Sequence, residues 1–423
     1  MKEAFLHHLW NYKLLDQSLL VTYHGSPIEI IQFGKLNFHS GPDFYEAEIV
    51  IGNQLWVGSV EMHVNSSDWD LHQHSEDLAY QNVILHVVWN HDKEIDILRQ
   101  RNVETLVLKD YVNKEIIFNY DLILNNNSSN FPCEKLISNL NLENVNFWLD
   151  RLLIDRLEIK SNHVLRLLEA THQNWEEVTF RLLAYNFGLK INSDGFEYWS
   201  KSFPFQVLQK CQSNPIQIPA LFFGQAGFLT DPIDEYMKLL KNEYDYLKHK
   251  YQLRPITNSV FKFSSLRPLN FPTLRLAQLG SIYAVEKKLF SKIISFEDFK
   301  SIENYFEKIP IDSYWETHYV FGKESKRISK KISKSKIQQL IINFIIPLRF
   351  TYDLTTDQLN AEWFIELLEN LKAEQNNIVN TFREAGFKVE NAKDSQTILH
   401  LKKYYCDEKK CLNCAIGTQI LNQ

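Results

Sequence analysis

The spacing of apolar residues changes once along this chain, and the change predicts two kinds of fold in succession. Up to about residue 110 the apolar residues form short runs: Ile28–Phe33, Phe44–Ile51, Leu55–Val64, Asn82–Trp89 and Glu104–Lys109. Side chains on a strand alternate between faces, so runs of this length read as strands. NVILHVVW, Asn82–Trp89, is almost wholly apolar, as expected of a strand covered on both faces. Gly52-Asn53 tolerates positive φ and predicts a hairpin between the second and third runs. Residues 2–15 read as a short helix with Phe5, Leu6, Leu9, Trp10 and Leu14 on or near one face. Ser66–Gln81 reads as a loop with a short helix. The order is therefore helix, three strands, short helix, strand.

Asn125–Asn130, NNNSSN, is a polar break before Pro132. Beyond it the period becomes about 3.6. Asn141–Ala170, Trp175–Leu189, Asp234–Tyr251, Leu274–Leu289, Ser335–Phe350, Asp357–Glu374 and Ser395–Tyr405 all read as helices. The expectation is an α+β protein with an α/β domain over 1–124, a linker over 125–137, and a larger, mostly helical domain over 138–423 that ends in a cysteine motif. No internal repeat is evident.

A chain of 423 residues with 44% hydrophobic content can support two or three cores. The net charge of -6 excludes a global pull toward nucleic acid or membrane. Its distribution is uneven. Residues 1–110 carry 16 acidic against 7 basic residues, whereas 111–423 carry 36 against 39. Nine of the 14 histidines precede residue 92. An acidic, histidine-rich front suits a divalent cation. The N-terminus lacks the apolar run and cleavage site of a signal peptide. The longest apolar candidate, Ile341–Leu348, is broken by Asn343 and Pro347, so no membrane span is expected. Five cysteines, an odd number, argue against a disulfide framework. These features read as a cytoplasmic protein with reduced thiols and no membrane partner.

Within Gly41–Asp70, Asp43 opens one predicted strand, Glu61 lies inside the next, and His63 follows two residues later on the same face. The hairpin would bring Asp43 and Glu61 side by side. Two carboxylates on adjacent strands can hold Mg²⁺ or Mn²⁺ and leave positions open for water and substrate, the arrangement phosphodiester cleavage requires. The Met62 carbonyl could add an oxygen. Equally, Asp43 could cap the turn after Gly41-Pro42 and Glu61 could be an exposed strand residue. Pro42-Asp43 followed by Glu61-x-His63, in this order of elements, resembles the PD-(D/E)xK nuclease superfamily. The resemblance implies a restriction-endonuclease-like domain, Asp43 and Glu61 as metal ligands, His63 in the position of the family's lysine, and Glu29 as an accessory acid. Histidine there could take a proton from water, ligate a softer metal, or mark a protein that binds without cutting.

A second cluster, SSDWDLHQH, offers Asp68, Asp70, His72 and His74. With His63 it could form a transition-metal site, or it could be a polar turn before a helix. His39 is a weaker candidate, and His86 reads as a hydrogen-bonded core residue. Cys406, Cys411 and Cys414 are spaced C-x4-C-x2-C, with Cys133 available as a fourth ligand. Four thiolates suit zinc or an iron–sulfur cluster, and some nucleases of the superfamily carry such a cluster as a staple. Three small buried hydrophobes would show the same spacing. Cys211 reads as simply buried. Lys323–Lys336 contributes Lys326, Arg327, Lys330, Lys331 and Lys334. Arg267 and Arg275 lie with Arg254 and Lys262 in an aromatic-containing stretch. Such residues can track a phosphate backbone or form a solvated face.

GPDFYEAEI, GSVEMHVNSSDW, AYQNVILHVVW, FGQAGFL, LRPLNFPTLRLAQL and CLNCAIG together resemble an uncharacterised family, domain of unknown function 2851, found mainly in Bacteroidetes. That resemblance implies a bacterial protein and supplies no activity. The leading expectation is a metal-dependent nuclease or a nuclease-derived nucleic-acid-processing protein. The alternatives are a non-catalytic module binding nucleic acid or a protein complex, and a metal hydrolase of a small molecule using His63, Asp68, His72 and His74. DNA against RNA, metal identity and oligomeric state stay open.

Overall fold

The computed structural model describes residues 1–37, 39–125, 130–137, 140 and 142–422. Its strands fall where the short apolar runs lie. After helix α1 (Glu3–Asn11) come β1 (Ile28–Gln32), a short β2 (Lys35–Leu36), β3 (Phe44–Ile51) and β4 (Gln54–Asn65). Then follow α2 (Asp68–Leu71), β5 (Val83–Asn90), α3 (Asp96–Gln100), β6 (Glu104–Val107) and α4 (Lys114–Asn125). The sheet order is β1-β3-β4-β5-β6, with β2 also on β3. β1, β3 and β4 pair antiparallel, and β4, β5 and β6 run parallel. Gly52 makes the β3–β4 turn at φ +63°, a conformation that glycine adopts without a Cβ clash. The segments holding α2 and α3 make the crossovers that parallel neighbours require.

Both faces of the sheet are covered. Phe5, Leu6, Leu9 and Trp10 of α1 are fully buried, and the Trp10 indole donates to the Phe33 carbonyl at 2.9 Å. A second cluster joins Trp69, Tyr80, Val83, Ile95 and Leu98 from the two crossovers.

One irregularity sets the site. From Ile51↔Gln54 to Ala47↔Gly58 the β3–β4 ladder is regular, but Phe44 then pairs with Val60. β3 therefore carries one extra residue, and Glu46 takes φ +59° within it. In an unbroken register Phe44 would sit opposite Glu61. The bulge instead places Asp43 opposite Glu61, so both carboxylates share one face. A shift of one residue would have separated them.

The chain divides into two compact units, and the cut differs from one at 125–137. The first comprises Met1–Leu149, Asn377–Phe387 and Ile398–Gln423, so the C-terminal cysteines belong with the sheet. The second comprises Asp150–Asn376 and Lys388–Thr397. Residues 126–129, most of the polar NNNSSN break, lie outside the described residues. The second unit is mostly helical around one large apolar core, including Phe180, Trp199, Phe222, Phe223 and Trp315. Helices Trp175–Phe187, Glu235–Tyr251 and Pro272–Val285 lie within three or four residues of the periodic stretches. Ser335–Phe350 forms as α-helix interrupted by a π-helical turn at Ile341–Ile345.

Candidate metal centre

Asp43 and Glu61 are tied to each other through the backbone. The Asp43 N–H donates to Glu61 Oε2 at 3.1 Å, and Asp43 Oδ2 accepts the Met62 N–H at 2.9 Å. Alternation along β4 puts His63 on the same face as Glu61, and the parallel register sets His86 beside Glu61. His63 and His86 are both fully buried, with His63 Nδ1 at 2.9 Å from His86 Nε2. His72 and His74 come from the crossover after β4. The Ser66 and Ser67 hydroxyls and the Ser67 N–H bind the Asp92 carboxylate, and Asp68 accepts the Asn65 N–H. These bonds pin the start of the loop that returns both imidazoles over His63.

Among the described residues, His63, His72 and His74 are the one set of three ligand-type side chains whose donor atoms all lie within 4.8 Å of one another. His63 Nε2 stands 3.2 Å from His72 Nδ1, and His74 Nε2 stands 3.2 Å from Glu61 Oε1. His63 Nε2 to Glu61 Oε1 is 3.6 Å. Donors at about 2.0–2.1 Å from a tetrahedral centre stand about 3.3–3.4 Å apart; the three imidazoles form the set that closes, and Glu61 lies against two of them without joining it. His74 Nε2 makes no hydrogen bond despite its carboxylate neighbour. His7 Nε2 behaves alike, 3.1 Å from Asp43 Oδ2 without hydrogen-bond geometry. Close approach without hydrogen-bond direction is expected where lone pairs converge on a common third centre.

The electrostatics agree with a cation site. Burial raises the Glu61 pKa well above the carboxylate range, and the Asp43 charge adds to it. Burial and the neighbouring imidazoles push His63 down to about 2, and burial pushes His86 down to about 3. Both rings are neutral, so their lone pairs are available. Glu3 is raised by burial and by Asp43. With His63 Nε2 as a ligand, its Nδ1–H would donate to His86, the outer-shell bond that orients a metal-binding imidazole. His72 is exposed and the Asp43 side chain is 21% exposed, so solvent reaches the cluster from that side.

The expected site residues thus separate. Asp43, Glu61 and His63 come together and gather His72 and His74 from the second cluster. Asp68 is a backbone acceptor and Asp70 pairs with Lys93 at 2.7 Å. Glu29 pairs with Val50, about 20 Å along β3 from Phe44 at 3.4 Å per residue. It is not part of the cluster. His39 is exposed. Glu3 and His7, one helical turn apart on α1, were not anticipated, although their i, i+4 spacing puts them on one face.

The cysteines converge as well. Burial raises the Cys133 thiol pKa, and Cys406, Cys414 and Cys411 are close enough to raise it further. Cys411 is pushed up to about 12, and Cys414 accepts backbone N–H groups from Gly417 and Ile416. All five cysteines are free thiols, and Cys211 is buried alone. The basic segment is largely committed elsewhere. Lys330 is buried and donates to the Glu316 carbonyl and Ser325, Lys334 pairs with Glu303 and Glu307, and Arg327 pairs with Glu316. Arg275 is buried on Gln278 and Asn270. Lys326, Lys331 and Arg267 are exposed.

The chain belongs to the family described as Protein of unknown function (DUF2851). The family model matches residues 3–377, which include the histidine cluster and Cys133 but stop short of the other three cysteines. No curated protein matches the chain, and no solved structure does. Among the described residues no helix is long and apolar enough to cross a membrane.

Proposed function

We propose that the first unit is a metal-dependent phosphodiesterase of nuclease type. The observation that carries this reading is the bulge-set pairing of Asp43 with Glu61, with His63 on the same face. It occurs within an order of helix, antiparallel strands, crossover and parallel strand like that of the PD-(D/E)xK nucleases. His63, His72 and His74 would hold the ion and leave a fourth position for water, with Glu61 beside them. Three imidazoles favour zinc or manganese over magnesium, which prefers oxygen. The ion would polarise a phosphoryl oxygen and lower the pKa of bound water. Asp43, on the open side, would accept the water's proton. The test is metal analysis of purified protein, followed by incubation with single- and double-stranded DNA and structured RNA plus each metal. Cleavage that persists undiminished in Asp43→Ala overturns the reading.

The recruitment of His72 and His74 favours a second reading, a metal hydrolase of small esters. Turnover of a small phosphodiester or carboxylic ester with none of any nucleic acid would select it. Salt-sensitive nucleic-acid binding without turnover would indicate a non-catalytic module instead.

The four cysteines would hold a second, structural group. Four thiolates suit zinc or an iron–sulfur cluster, and of the two the cluster reading predicts colour. Visible absorption lost with Cys133→Ser tests it.

A further inference from the structure

The helical unit contains a cavity of about 1050 Å³ whose wall is strongly basic. Among the described lining residues Lys160, Lys190, Lys336 and Lys372 face a single carboxylate, Glu374. Glu374 is already occupied by the side-chain amides of Gln396 and Asn376. Lys336 is 3% exposed, and its Nζ donates to the Asn186 carbonyl at 2.7 Å and lies over the Phe187 ring. A buried ammonium is costly unless it is paired. Lys160 Nζ is held by the Ile342 carbonyl at 3.1 Å, by Asn343 Oδ1 at 3.0 Å and by Gln396 Oε1 at 3.1 Å. Ile342 and Asn343 belong to the π-helical turn Ile341–Ile345, an irregularity frequent at functional sites. Burial lowers both lysine pKa values, Lys160 to about 7. An anion seated against Lys336 would supply the counter-charge that its carbonyl acceptor does not.

The volume far exceeds that of a phosphate ion. The wall also presents the Tyr185 ring, braced edge-on by His163 at 4.9 Å, and the amides of Gln338 and Gln339. A ring to stack on, amides to meet a base edge and ammonium groups for phosphate are the complement of a nucleotide. We propose that this cavity binds a nucleoside phosphate, either free or as the 5′-phosphorylated end of a strand. The proposal lies in the second unit and does not rest on the metal centre.

Calorimetry of the full chain at low salt tests it, with ADP, uridine, and an oligothymidylate with and without a 5′-phosphate as probes. ADP should bind and uridine should not. Tighter binding of the phosphorylated oligomer than of ADP would identify a strand end as ligand, and the reverse would identify a free nucleotide. Lys190 and Lys372 are exposed, so Lys190→Glu with Lys372→Glu should leave melting unchanged and weaken ADP by about tenfold or more. Asp43→Ala should bind ADP normally. The proposal is overturned if neither ADP nor the phosphorylated oligomer binds, or if the double variant binds them as the parent does.

Discussion

His72→Ala separates the role of the histidine cluster as a metal site from its role in packing. His72 is exposed, so truncating it should change metal-free stability by no more than about 0.5 kcal/mol. Its Nδ1 nevertheless stands 3.2 Å from His63 Nε2, along one edge of the proposed donor tetrahedron. Loss of an outer-shell partner alone costs a metal site about 10- to 100-fold in affinity, and loss of a ligand costs at least as much. That is about 1.4–2.7 kcal/mol. At saturating parent and subsaturating variant, the deficit passes into folding stability. A unit of this size moves its midpoint by about 2–4 °C per kcal/mol. Zinc should therefore raise the parent's first thermal transition by about 3–11 °C more than that of His72→Ala. Both proteins would be stripped with chelator, reloaded and scanned in parallel, with zinc content measured on each. A gain common to both comes from the cysteines, which the substitution leaves intact. Equal gains and equal histidine-dependent zinc content in parent and variant would refute the tetrahedral assignment.

Deleting Glu46 should turn the bulge into a regular ladder in which Tyr45, Phe44 and Asp43 face Ser59, Val60 and Glu61, so histidine-site metal binding should survive and the sheet should still fold; circular dichroism and metal titration read the two effects, and loss of the metal site in this variant would refute the register. The Asp92 carboxyl is held down to about 2, chiefly by the Ser67 N–H and by the Ser66 and Ser67 hydroxyls. Its folded pKa lies below its unfolded one, so its contribution is complete above about pH 4 and is lost as pH falls toward the folded value. Asp92→Asn should therefore flatten the acid limb of the first unit's stability curve. Gly224→Ala would place a Cβ 2.0 Å from the Tyr244 ring, which overpacking makes unfavourable by about 1–3 kcal/mol or more, seen as a lowered midpoint for the helical unit.

The strands, the hairpin and most helices were legible because apolar periodicity and Gly52 act locally. The boundary of the first unit was not. Residues 398–423 return to the sheet's unit, and nothing in the local pattern of Ser395–Tyr405 distinguishes that from packing among helices. At the site, Asp43, Glu61 and His63 were readable as a strand motif, but the reason they share a face was not. Midpoint placement of Gly52-Asn53 alone gives a register that opposes Asp43 to Met62; the bulge at Glu46 corrects it, and a glutamate carries no sequence signal for positive φ. His72 and His74 were visible as ligand types. Their convergence depends on the Asp92–Ser66–Ser67 contacts, more than 20 residues apart in sequence. Lys330 and Arg275 looked like surface charge because a composition window cannot see that their heads are spent on carbonyls and amides.

His63 sets the charge balance of the whole cluster. A lysine there would bring a cation against Asp43 and Glu61. Buried among four other imidazoles, His63 is neutral at any ordinary pH. Among the described residues no lysine or arginine pairs with either carboxylate, whose close basic neighbours are His7, His63 and His74. Two adjacent carboxylates in such a setting must take up protons or share a cation. Protonation would satisfy Glu61 but would leave His7 and His74 beside carboxylates without hydrogen-bond direction. A divalent ion accounts for the carboxylates, the unprotonated rings and the missing hydrogen bonds together. On that argument the centre is nitrogen-rich, and the metal it prefers should be zinc or manganese rather than magnesium.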